Sequence, residues 1–221
     1  MTSKSFRRLV LFLVLTTGGC VVGDELQTFT LNADGSADLV VFRSNLHSTE
    51  KGEKAEKELA EYRASFEKQS NGEFGRIREA DGEIVLTSWV RAQPPFSNLV
   101  RVHFPDMQSL EKYWTVKNEH DQPLVTTHFK KAGQRQRVTF QVSVPDDKDQ
   151  PARPTESAQQ LRQALADGIS ETRFAITEGA IVSARGFTVA GDRQSALLNT
   201  VEVSELIRAG KGEAELWLEW E

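Results

Sequence analysis

The chain holds a single cysteine, Cys20, in 221 residues, so no disulfide can form within it. Its stability has to come from a packed core. A chain of this size hides roughly 70% of its unfolded surface on folding, so no covalent staple is required. Long apolar runs are also lacking. The N-terminal stretch from Leu9 to Val22 has fourteen residues and is interrupted by Gly18 and Gly19. A helix crossing a bilayer core needs roughly 20 apolar residues, so neither this stretch nor any later one is expected to span a membrane.

Metal-ligand spacing is missing. The four histidines are His47, His103, His120 and His128; no two stand four apart, and the cysteine is remote. Structural and catalytic zinc sites draw on closely spaced Cys and His, so no metal or cofactor is expected. There is no Gly-x-Ser-x-Gly elbow, phosphate-cradling loop or dinucleotide fingerprint. Carboxylates are abundant but fall on helix faces and turns; Asp34 and Asp81 each precede a glycine and read as turn residues. The expectation is a protein without catalytic residues. The catalytic alternative, an envelope hydrolase, would need a polar cleft joining His103 or His128 to carboxylates.

Positive charge is in deficit. The formal charge is −5, and removing Lys4, Arg7 and Arg8 with residues 1–19 takes it to −8. An acidic surface repels polyanions, so no nucleic-acid partner is expected.

What is present begins with the N-terminus. A basic end with Lys4, Arg7 and Arg8 precedes the apolar run Leu9–Leu15, then Thr16-Thr17-Gly18-Gly19 and Cys20. That order reads as a signal peptide over 1–19, the cationic end staying cytoplasmic while the apolar run enters the bilayer. The small residues before Cys20 resemble the lipobox of bacterial lipoproteins, which implies lipidation of Cys20. Thr17 departs from that pattern, which favours Leu three residues before the cysteine. Ordinary cleavage after Gly23 is the alternative. Val21, not Asp, follows the cysteine, which by analogy with enteric lipoproteins implies the outer membrane. Residues 20–25 are expected to form a short tether before the first strand, at Leu26.

The remaining chain, 26–221, reads as a single α+β domain. Leu26–Asn32 and Ala37–Ser44 flank Asp34-Gly35, a hairpin signal, with Phe29, Leu31, Leu39 and Val41 on one face. Ala55, Leu59, Tyr62 and Phe66 make an apolar stripe on a helix over about 48–69, with Gly72 as its stop. Strands are expected at 83–90 and 99–104, with Asp106 capping a short helix. Leu124–Phe129 and Arg137–Val144 form a second hairpin, and a second amphipathic helix covers about 156–169. Strands follow at 173–177, 181–185, 196–201 and 213–220, with a short helix at 203–209. Antiparallel sheet with two amphipathic helices on one face is the expected architecture. Asp81-Gly82-Glu83-Ile84-Val85 and Glu178-Gly179-Ala180-Ile181-Val182 stand 97 residues apart, which raises a duplication into halves 26–120 and 121–221. Trp217 and Trp220, three apart on a strand, should point to opposite faces.

The block Thr28-Phe29-Thr30-Leu31-Asn32-Ala33-Asp34-Gly35-Ser36, soon after the cysteine, resembles the opening of LppM-type mycobacterial envelope lipoproteins. The resemblance covers about twenty residues and implies an envelope-anchored α+β module; it transfers no catalytic residue. The functional expectation is a non-enzymatic binding or structural module at the membrane surface, contacting an envelope protein or lipid. The acid-rich helix 48–69 and the Pro94–Asn98 loop are its candidate contact surfaces. The alternative is a carrier of lipid or a small amphiphile in a cavity between helices and sheet.

Overall fold

The computed structural model describes residues 21–117, 123–143, 170–210 and 212–221. The expected signal peptide, Cys20 and the expected helix at 156–169 lie outside these residues.

The chain opens with a hairpin of β1 (Val21–Leu31) and β2 (Ala37–Ser48). Asp34 accepts from the Ser36 amide and Gly35 takes φ 91°, which closes the turn. Phe29 faces Leu39, and Leu31 faces Ala37; all four are buried on one side. Helix α1 (Glu53–Glu67) follows and buries Tyr62 and Phe66. Gly72 does not end a helix. It starts a second one, α2 (Gly72–Glu79), because Asn71 accepts from the Phe74 amide and caps it.

Strands β3 (Glu83–Arg91) and β4 (Phe96–Phe104) lead to α3 (Met107–Trp114), with Asp106 as its cap. Then come β5 (Val116–Lys117), β6 (Pro123–Ala132) and β7 (Arg135–Ser143). The last stretch holds β8 (Ser170–Ile176), β9 (Ile181–Arg185), β10 (Phe187–Val189), β11 (Ser195–Leu198), α4 (Thr200–Ala209) and β12 (Glu213–Trp220). The strand expected at 196–201 stops at Leu198, because Asn199 accepts from the Glu202 amide and starts α4 early.

Two sheets form. The large one has the order β10-β11-β8-β1-β2-β4-β3 and the small one β5-β6-β7-β12-β9. Pairing is antiparallel except between β1 and β8, where Glu25 to Leu31 run parallel to Ser170 to Ile176. Among the described helices, α1 packs against β1 and β2, α3 against β6 and β4, and α4 against β12. Of the two helices expected on one face, the second lies outside the described residues.

Among the described residues the two expected halves contribute differently to the sheets. In the first, β1-β2-β4-β3 lie in one sheet; in the second, β6, β7, β9 and β12 enter the small sheet while β8, β10 and β11 join the large one. The matching pentads also turn differently: Asp81 takes the positive φ, 58°, in one, and Gly179 takes it, 85°, in the other.

Aromatic rings tie the sheets together. Phe29 of β1 stacks on Phe174 of β8 at 5.4 Å and meets Trp114 of α3 at 4.7 Å. Trp114 in turn meets Phe140 of β7 at 5.3 Å. Such contacts add about 0.5–1.5 kcal/mol each beyond the area they bury.

Candidate functional site

Strand β1 is fixed from its first residue. Val21 pairs with Ser48 and Val22 with His47, so the residues expected as a tether, Val21 to Glu25, belong to the sheet. Glu25, expected in the tether, is a buried residue of this strand. The sheet tolerates it because Arg43 stands opposite on β2. A small cluster of Val21, Leu46, Tyr62 and Phe96, joined by Leu59 and Trp89, packs this end under α1. Arg63 lies over Trp89 at 5.7 Å and over Phe96 at 5.4 Å. Gly23 is needed here, since a Cβ would stand 2.6 Å from the Ser44 carbonyl oxygen.

Behind that cluster sits a buried ionic group. Arg43 donates from Nε to Glu25 at 2.6 Å and from Nη2 to Glu73 of α2 at 2.7 Å. Gln27 donates to the same Glu25 at 2.6 Å. Asn98 of β4 stands opposite Arg43 and donates to the Tyr62 hydroxyl at 2.9 Å. Burial alone pulls the Arg43 guanidinium down, but Glu73 and Glu25 hold it well above its ordinary value. Burial pushes the phenols of Tyr62 and Tyr113 up. Arg43 Nη1, Asn98 Oδ1 and the Tyr113 hydroxyl have no hydrogen-bond partner among the described residues. The group is buried and joins three strands to two helices, α1 through Tyr62 and α2 through Glu73. It offers no reactive atom to a substrate.

The histidines are dispersed. His103 meets Asp38 at 3.1 Å on the outer face of the large sheet, where both are about two-fifths exposed. Desolvation raises the Asp38 carboxyl, and hydrogen bonds from Asn32 and His103 outweigh it, leaving it below the usual range. The Ser36 hydroxyl donates to Asp34, not to His103. His47 contacts the Asn45 carbonyl, His128 is exposed on β6, and His120 lies outside the described residues. Among the described residues no three His, Cys, Asp or Glu side chains converge on one point. Asp81 is a turn residue that pairs with Lys112 at 2.6 Å.

Trp220 is in the core and Trp217 is on the opposite face of β12. Trp217 is flanked by Arg137 at 5.4 Å and Arg185 at 5.2 Å, and its Nε1 donates to Ser183 at 3.2 Å. Of the two contact surfaces read from the sequence, α1 exposes Glu53, Glu56, Glu61 and Glu67. The loop exposes Pro94 and Pro95 but buries Phe96 and Asn98.

A groove of about 430 Å3 runs between α2 and α3, lined by Arg76, Glu79, Lys112 and Tyr113. Another of about 400 Å3 lies along β9 and β10, beside Ile181 and Phe187. Neither lies between a helix and the sheet it covers, where a carrier would hold its cargo.

No protein-family model matches the chain, and no curated protein matches it significantly. Among solved structures it is similar to the NMR structure of the folded domain of Mycobacterium tuberculosis LppM. The identity is 9% and the TM-score 0.39, covering 94% of this chain and 94% of that chain. At those values the likeness is distant and carries no residue role across.

The ionic group was absent from the sequence reading. One signal pointed to it: Arg43 continues the buried series Leu39, Val41 on β2, where a charge needs a buried partner. The partners come from β1 and from α2, a helix the reading did not contain.

Proposed function

We propose that this chain is a non-enzymatic binding module held at a bacterial envelope membrane, the outer membrane by preference, through lipid on Cys20. The observation that supports this reading is the position of β1. The sheet starts at Val21, so one peptide unit, about 3.8 Å between Cα atoms, separates the lipidated residue from folded structure. There is no stalk, and the domain works against the bilayer, on an envelope protein or lipid within reach.

The test is Cys20→Ser with labelled palmitate, cell fractionation and sequencing of the mature N-terminus. The wild type is expected in the membrane fraction with label. The variant is expected without label and in the soluble fraction. Membrane retention of unlabelled Cys20→Ser, or a wild-type mature protein beginning at Asp24, overturns the lipid anchor.

A further inference from the structure

The outer face of the large sheet, turned away from the core, is divided along the strands. Near the start of β1, Leu26 stands opposite Phe42, and Phe42 opposite Leu99, a row of apolar side chains across three adjacent strands. Val40 and Leu86 flank Arg101 in the next row. Toward the other end the same face carries Thr30, Asp38, His103 and Glu83.

The apolar half is not core. Leu26, Val40, Phe42 and Leu99 belong to neither hydrophobic cluster. Val22, Leu86 and Val90 are 36%, 43% and 59% exposed. An exposed apolar area rimmed by polar groups marks an interaction surface. Two cations border it, Arg91 and Arg101, both exposed and outside any ion pair among the described residues. The nearby carboxylates are engaged: Asp24 accepts from Asn45, and Glu171 pairs with Arg173 at 3.0 Å.

We infer that this apolar half, with Arg91 and Arg101 at its border, rests on the lipid surface that holds Cys20. The inference rests on the reading of Cys20 as the lipidated residue. The undescribed N-terminal segment ends at Cys20, one residue before β1, which borders the face. Leu26 is five residues along the strand, about 17 Å at 3.3 Å per residue, so the patch lies within reach of the bilayer. Tethering makes the second contact intramolecular, so a modest apolar area suffices. Aliphatic side chains enter the headgroup boundary, and the two arginines meet lipid phosphates. The polar half tilts away into water.

The experiment uses the lipidated protein in vesicles of phosphatidylethanolamine and phosphatidylglycerol. An environment-sensitive fluorophore is placed through Leu86→Cys or Val90→Cys on the patch, and through Glu56→Cys or Glu215→Cys elsewhere; the acylated Cys20 thiol takes no label. Doxyl lipids are expected to quench labels at 86 and 90 and to leave those at 56 and 215 unchanged. Unquenched patch labels on palmitate-bearing, vesicle-bound protein overturn the lipid-facing surface and leave the anchor standing. Absence of palmitate overturns the anchor and the inference with it. Patch labels already shielded in soluble Cys20→Ser protein, without vesicles, assign the face to a second copy or to residues 144–169, and also overturn the inference.

Discussion

Arg43 and Glu25 face each other across β2 and β1 with Nε and Oε2 2.6 Å apart, and both side chains are about 95% buried. Glu73, 11% exposed, is the second acceptor, so one cation serves two carboxylates. Removing one partner from a buried pair costs about 3–5 kcal/mol, because the other charge stays buried alone. Arg43→Met should lower the urea midpoint accordingly. Adding Glu25→Gln and Glu73→Gln should recover part of the loss. A neutral Arg43→Met would mean that the two carboxylates reach water in solution.

Asp106 gives a pH-dependent contribution of known sign. The Ser109 backbone amide donates to its carboxylate at 2.7 Å and, with the Ser109 hydroxyl, holds it below the ordinary carboxylate range. A folded value below the unfolded one, about 3.9, stabilises above the unfolded value and is lost as pH falls through the folded one. Asp106→Ala should therefore cost about 1 kcal/mol at neutral pH, the usual worth of such a cap. The gap between it and the wild type should close as the solution is acidified below pH ~4. Asp106→Asn should keep most of the cap without that acid-side loss. Thermal melts from neutral pH to pH ~3 measure this; a gap independent of pH would contradict it.

Phe174 is the hub of the aromatic core. Its ring lies 5.4 Å from Phe29, 5.6 Å from Phe140 and 5.5 Å from Phe187, and it is 1% exposed. Phe174→Ala should cost about 3–5 kcal/mol, and Phe174→Leu distinctly less. Equilibrium unfolding decides it. Equal losses would show that the surroundings collapse onto the smaller side chain.

Two glycines with similar backbone should respond differently to alanine. Gly35 has φ 91° with nothing near its missing Cβ, whereas Gly179 has φ 85° and a Cβ there would stand 1.9 Å from the Glu221 carbonyl oxygen. Gly35→Ala should cost only the left-handed strain, about 1–2 kcal/mol. Gly179→Ala should cost more, because it also displaces the backbone pair between Ala180 and Glu221. Equal costs would mean that the C-terminal residue is not held there in solution.

The elements legible in the sequence were those whose signals are local. Asp34-Gly35 fixed a hairpin, Asp106 a cap, and the alternation Val138, Phe140 a strand with one buried face. The α2 helix was missed because Gly72 and Gly75 lower helix propensity, and its burial of Phe74 and Ile77 under the sheet outweighs that. The start of β1 was misplaced because Glu25 is buried on a sheet face only through partners 18 and 48 residues away, Arg43 and, through it, Glu73. The apolar outer row was equally hidden: Leu26, Phe42 and Leu99 each look like ordinary strand residues until the register sets them side by side. Placement of a face is a property of pairing, and pairing is not written in any one segment.

The parallel contact between β1 and β8 has a consequence for how the molecule is made. Ser170 sits beside Glu25, 145 residues earlier. The strand nearest the N-terminus therefore gains its second neighbour only when the last third of the chain arrives. Until then one side of a central strand stands open, with its backbone donors and acceptors unpaired. Contacts so distant in sequence close slowly. A growing chain with this topology carries an open strand edge beside its first hairpin until Ser170 to Ile176 have been made.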